Sequence, residues 1–186
     1  MTNYNKRYIL AFDPSGSYNE GKGTTGWCVF DCQDNRVSTA GMLSAATYAC
    51  FEEYVAAHVD LIKNFIERYK ATYIHVVIED YLLYESKART QINSHMETSQ
   101  LIGVLKYCCW CNSIEYTMQP ASEVKTRWTN DILCYKKFIR KDSRKFELPV
   151  GHKEVNKHML DSIRHAVHYA TFKNKAPQKL LHGKEI

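Results

Sequence analysis

Two short apolar runs with a long amphipathic stretch between them constrain this chain most. Residues 8–12 (YILAF) are stopped by Asp-Pro-Ser-Gly, and residues 73–78 (YIHVVI), rich in β-branched side chains, are stopped by Glu79-Asp80. Short apolar runs ended by turn chemistry read as buried strands. Between them Phe51, Tyr54, Val55, Val59, Ile62, Phe65, Ile66 and Tyr69 recur at helical spacing, which predicts an amphipathic helix over 51–69. A strand, a helix and a second strand close into a right-handed crossover, so the two strands are expected to run parallel with their carboxyl ends together.

The rest of the chain extends this unit. Residues 26–30 and 37–43 read as two further strands joined at Asp34-Asn35, and residues 91–111 as a second long helix. Residues 114–118 read as a strand stopped by Gln119-Pro120, residues 122–128 as a short basic helix with Ser122 as its cap, and residues 153–172 as the last helix. Residues 135–152 carry charge, Pro149 and Gly151 without a period, and read as a mobile basic loop. The expected fold is α/β, ordered β-β-β-α-β-α-β-α, with a five-stranded mixed sheet and helices on both faces.

With 186 residues, 45% of them hydrophobic, the chain is expected to be one domain over 1–186. It has no apolar run of signal-peptide or membrane-spanning length, so a soluble, cytoplasmic protein with no membrane partner is expected. The seven cysteines are odd in number and lack the two C-x-x-C pairs of a zinc site, so most read as small buried apolar residues. Lys and Arg total 25 against 20 for Asp and Glu, and residues 136–145 (KKFIRKDSRK) hold six of the cations and one acid. One segment therefore supplies the whole excess, which points to a polyanionic partner such as nucleic acid.

Asp13 and Glu79 each follow an expected strand, and parallel neighbours about 4.8 Å apart bring their carboxylates to one sheet edge. In the last helix His158, Asp161, His165 and His168 lie at offsets of three, four and three, within an arc of about 80°. Val155, Met159, Leu160, Ile163, Ala166, Val167 and Ala170 fill the adjoining arc. The helix is expected to bury its apolar stripe on the sheet while the His/Asp row faces Asp13 and Glu79. A convergence of carboxylates suits Mg²⁺ or Mn²⁺, and two such ions are a common clamp for in-line displacement at a phosphodiester.

These motifs, ILAFDPSG with TTGWCVF, VVIEDY, PASEVK and HMLDSIRHAVHY, resemble the RuvC-like Holliday junction resolvases of the RNase H-like superfamily, the bacteriophage forms in particular. The resemblance spans residues 8–169. It implies an RNase H-like fold and a Mg²⁺-dependent endonuclease, with Mn²⁺ as a substitute and two ions during catalysis. It further implies a homodimer acting on branched DNA, four-way junctions first and flaps or forks besides, with the helix from residue 91 at the dimer interface. Asp13, Glu79, His158 and Asp161 match the family's catalytic and metal-binding positions. For a phage-encoded chain the compartment would be the host cytoplasm. Leu82 stands where many members carry an aromatic wedge, and Tyr81 or Tyr84 is the expected substitute.

His165, one turn after Asp161, is expected to orient Asp161 or to contact a substrate phosphate. Further DNA contacts are expected from Lys87 and Arg89, from Lys125 and Arg127, and from Lys136, Lys137, Arg140, Lys141, Arg144 and Lys145. Two other readings stand beside this one. An ATP-using domain of the same fold needs two such domains, which the length disfavours. A non-catalytic branched-DNA-binding or architectural protein would keep the fold and the basic segment without needing the acids.

Overall fold

In a computed structural model, residues 6–19, 21–81 and 96–174 are described. Strands β1 (Tyr8–Asp13), β2 (Thr24–Asp31) and β3 (Arg36–Ser44) form an antiparallel meander. Helix α1 (Phe51–Tyr69) crosses over to β4 (Ile74–Asp80), which pairs parallel to β1 as expected from the crossover rule. Helix α2 (Glu97–Cys111) leads to β5 (Glu115–Pro120), parallel to β4. The sheet order is β3-β2-β1-β4-β5, the expected five-stranded mixed sheet.

The central strands β1, β2 and β4 are buried on both sides, which explains why their sequences run apolar without alternation. Ile9, Ala11, Cys28, Phe30 and Val77 face one helical layer, while Leu10, Phe12, Val29, Val76 and Ile78 face the other. The second layer consists of α1 and α2, through residues such as Tyr54, Ile62, Leu101 and Leu105. The first is built on the terminal helix α5 (Lys157–Phe172), through Met159, Leu160, Ile163, Ala166 and Val167.

Four local expectations are corrected. Helix α3 spans Ala121–Lys125, shorter than residues 122–128, and begins behind Pro120 with no cap from Ser122. A six-residue helix, α4 (Asn130–Tyr135), follows; Thr129 accepts its Ile132 N–H. Residues 135–152, expected as a loop, instead contain β6 (Arg140–Asp142) and β7 (Lys145–Glu147), and with β8 (Glu154–Val155) they make a small antiparallel sheet. Phe138, Ile139 and Leu148 anchor this ribbon in the α5-side core. The last helix starts at Lys157 rather than 153, because Asn156 Oδ1 accepts the Met159 N–H and caps it. Residues 91–95, the expected start of the second long helix, lie outside the described residues.

Candidate active site

Strand register and side-chain alternation assemble the site. Phe12 of β1 pairs with Ile78 of β4, so Asp13 and Glu79 leave adjacent strands at the same level. Glu79 in turn pairs with Gln119 of β5. With a period of two, Ile9, Ala11 and Asp13 share a face, as do Val77 and Glu79, and that face carries α5. The same parity turns Asp80 to the other face.

Gly26, the partner of Asp13 across β1 and β2, lets α5 approach. A Cβ at Gly26 would lie 2.1 Å from the carbonyl oxygen of His158, so only glycine admits the first turn of α5 at this distance. That contact sets His158 beside Asp13, with Nδ1 3.1 Å from Oδ2. The turn after β1 is held from the opposite layer. The backbone N–H of Gly16 donates to Thr98 Oγ1, and that of Tyr18 to the buried Glu97 carboxylate, while Tyr54 Oη donates to the Ser15 carbonyl.

Three carboxylates meet four cationic or potentially cationic groups. Glu79 Oε2 lies 2.9 Å from His165 Nε2, and the other ring nitrogen of His165 lies 2.8 Å from Gln119 Oε1. The ammonium of Lys125 sits 3.2 Å from Glu79 Oε1 and 3.2 Å from Asp161 Oδ2. Arg164 holds the remaining oxygen of Asp161 and is itself fixed by Asn130 and by the Trp128 carbonyl. Asp13, Glu79 and Asp161 are largely buried, their side chains 14%, 16% and 4% exposed.

The electrostatics follow from this packing. Burial pushes the Asp13 carboxyl up, as do the Glu79 and Asp161 charges, and these outweigh the His158 hydrogen bond. Burial also acts to raise Glu79, yet the hydrogen bond and charge of His165, with Lys125, hold it down at about 2. The Asp13 hydrogen bond raises His158 against the effect of burial. Burial acts to lower Lys125, but the charges of Glu79, Asp161 and Asp13 raise it above its ordinary value.

His165 departs from its expected place. It reaches Glu79 and Gln119, not Asp161, and it is fully buried, so no phosphate can reach it. The helix axis crosses the strand tips: His158 in its first turn stands over β1, and His165 two turns on stands over β4. His168, one turn beyond His165, is buried against Phe172. Gln119, Asn130 and Arg164 carry no sequence signal of their own, because their roles depend on which strand tip and which loop they meet.

The expected DNA contacts divide. Tyr81 is half-buried against the α1/α2 core. Tyr84, Lys87, Arg89 and the wedge position Leu82 lie outside the described residues. Lys125 is inside the acid cluster, and Arg127 lies over the Phe172 ring. On the ribbon, Arg140 pairs with Glu147 and Lys145 with Glu154. Lys136, Lys137, Lys141 and Arg144 are exposed and without a carboxylate partner among the described residues.

Among the described residues no three of these His, Cys, Asp or Glu groups stand as a formed metal cage. The donor set nonetheless fits a divalent cation: hard carboxylate oxygens from three elements, one imidazole, and a charge deficit already met by an ammonium bridging two of the acids.

No family model matches the sequence, and no curated protein matches it. The fold, however, is similar to two solved structures of Thermus thermophilus RuvC. One is described as in complex with Holliday junction substrate, with a TM-score of 0.63 at 11% identity over 90% of this chain and 96% of that chain. The other has a TM-score of 0.60 at 11% identity, covering 88% and 93%. The chain thus has a RuvC-like, RNase H-like α/β fold.

Proposed function

We propose that this protein is a divalent-metal-dependent endonuclease that resolves four-way junctions and related branched DNA by phosphodiester hydrolysis. The observation that carries the reading is the meeting of Asp13, Glu79 and Asp161 at the carboxyl edge of β1 and β4, with His158 against Asp13. The RuvC-like fold and the neighbour's Holliday junction substrate support it. Asp13, Glu79 and Asp161, with His158, are the residues that would hold Mg²⁺ or Mn²⁺. When bound, one ion supplies charge neutralisation at the phosphate and a second an activated water.

The chain's own groups have separable tasks. His165, donating to Glu79 and locked by Gln119, orients that carboxylate; Arg164 does the same for Asp161. His158, part-exposed beside Asp13, holds that carboxylate through Nδ1 and would leave its other ring nitrogen to the metal. Lys125 brings a long flexible cation into the cluster, its side chain 39% exposed. Once displaced from Glu79 and Asp161 its ammonium is able to hold a non-bridging phosphate oxygen. Lys136, Lys137, Lys141 and Arg144 on the ribbon supply sequence-independent backbone contacts.

A homodimer fits an exposed aromatic face on α2, where Tyr107 and Trp110 are 65% and 73% exposed and their rings stack 5.9 Å apart. The reading is tested by incubating labelled four-way junction, flap and linear duplex with the protein, with and without Mg²⁺. Mg²⁺-dependent cutting of the branched substrates in preference to duplex is the expected result. Tight junction binding with no cutting in Mg²⁺ or Mn²⁺ would favour the architectural reading. Sedimentation of wild type and Trp110→Glu reports the dimer.

A further inference from the structure

At the opposite end of the sheet from the acids lies a second concave site, a cleft of about 550 Å³. It is formed where β1 begins and α1 ends, and its lining includes Arg7, Tyr8, Arg68, Tyr69, Lys70 and Tyr73. Tyr8 and Asp13 are five residues apart on one strand, so the two sites are separated by about 17 Å. Among the described residues no carboxylate lines the cleft. Asp31, beside it, is buried and consumed by Arg7, whose guanidinium Nη2 lies 3.1 Å away. Arg68 and Lys70, both exposed, have no carboxylate partner among the described residues.

The walls are aromatic. Tyr8 and Tyr69 pack with ring centroids 4.1 Å apart, and the guanidinium groups of Arg7 and Arg68 lie over these rings at 4.9 and 5.3 Å. Tyr73 is 52% exposed and makes no ring contact among the described residues, so one aromatic face is open. The backbone adds a second observation. Lys70 terminates α1 at φ 62, ψ 136, outside the small left-handed region and in a conformation that favours glycine. The lysine retained there lines the cleft together with Arg68.

An open aromatic face beside two cations without a carboxylate partner among the described residues, Arg68 and Lys70, is the chemistry of a nucleotide unit: a base on an aromatic face, a phosphate on Arg and Lys. The volume suits one such unit. We infer that this cleft is a second nucleic-acid site, binding a nucleotide of single-stranded DNA with its base on Tyr73 and its phosphate on Arg68 and Lys70. The site does not depend on the metal chemistry proposed above, and it is tested without any divalent cation.

The test uses the full-length protein in EDTA with a 5-iodo-deoxyuridine-substituted dT decamer, photocrosslinked and mapped by mass spectrometry, together with salt-dependent affinity. Crosslinks at Tyr73, Tyr69 or Tyr8 are expected. Tyr73→Ala should weaken decamer binding about tenfold, with Tyr73→Phe close to wild type. Arg68→Ala with Lys70→Ala should reduce the slope of log affinity against log salt by about 1.4, at about 0.7 per phosphate contact on a single strand. If millimolar dTMP competes for the same crosslink, the cleft also accepts a free nucleotide; if not, the single strand is its source. Crosslinks confined to residues 136–145, or affinity unchanged in both Tyr73→Ala and the double variant, would overturn the proposal.

Discussion

Lys125 occupies the position where the acids gather charge, and its removal is the most informative perturbation of the site. Its ammonium lies 3.2 Å from oxygens of both Glu79 and Asp161. With an effective dielectric of about 20, each contact is worth about 5 kcal/mol of bare attraction. Exposure of the side chain and desolvation of the carboxylates reduce the net value to about 1–2 kcal/mol. A divalent cation held by the same oxygens would have to displace this ammonium, which would lower wild-type metal affinity by that amount. Lys125→Met, which keeps the apolar stem, should therefore bind Mg²⁺ about tenfold more tightly, as about 1.4 kcal/mol predicts. Without metal the variant loses its bridge between two anions and should melt a few degrees lower, at about 2–4 °C per kcal/mol. With saturating Mg²⁺ that deficit should vanish. Calorimetric titration with Mg²⁺ and melting curves across Mg²⁺ concentration read both effects. Unchanged or weaker Mg²⁺ affinity in Lys125→Met would rule out competition between the ammonium and the metal, whatever happens to cleavage.

Other outcomes follow from the same packing. Burial holds His58 and His75 down at about 4, well below the ordinary 6.5. The unfolded chain therefore binds more protons than the folded one below pH 6.5, and stability should fall as pH drops from 6.5 towards 4, by up to about 1.4 kcal/mol per unit for each ring. His58→Leu should flatten that slope in pH-dependent melting curves; an unaltered slope would show that His58 does not titrate this way. Glu79, held at about 2, adds stability that is present above about 4.5 and declines from there towards 2, so Glu79→Gln should lessen acid sensitivity in that lower window. Gly26→Ala drives a Cβ into the His158 carbonyl and should cost about 3 kcal/mol, measured by denaturant unfolding. A wild-type midpoint would disprove the close approach of α5. On the ribbon, neutralising Lys136, Lys137, Lys141 and Arg144 should lower the salt slope of duplex binding by about 0.9 for each phosphate no longer neutralised. Neutralising the ion-paired Arg140 and Lys145 should change it less, and equal effects would contradict the assigned pairing.

Much of the fold could be read from local signals. The amphipathic spacing from Phe51 to Tyr69 delimits α1 at both ends, and the stops after YILAF and VVIED place Asp13 and Glu79 at strand tips. The handedness of the crossover then puts those tips side by side. What stayed hidden depends on contacts between distant segments. Strands β6, β7 and β8 are two or three residues long and mostly exposed, too short to show an alternation. Helix α4 is one and a half turns and relies on Thr129 and on Leu133 in the core. The six cations of the basic segment are equivalent in sequence, yet cross-strand pairing removes two of them. In the site, helical spacing groups His158, Asp161 and His165 on one face without fixing which acid each imidazole meets. That follows from the angle at which α5 crosses β1 and β4. The bridging of Glu79 and Asp161 by Lys125 likewise depends on how Pro120 turns β5 into α3.

If the three carboxylates perform phosphodiester hydrolysis, Asp13→Asn should separate cutting from binding. Asp13 is the acid whose ionised form burial and its neighbours disfavour, so Asn should leave the melting temperature equal to or above that of wild type. The measurement is cleavage of a labelled four-way junction in Mg²⁺, made alongside junction affinity in Ca²⁺ or EDTA. Cutting should fall by at least about a thousandfold with affinity retained, given what one electrostatic stabiliser contributes in an active site. Mg²⁺-dependent cutting at the wild-type rate by Asp13→Asn would mean that the acid cluster is not the catalytic centre.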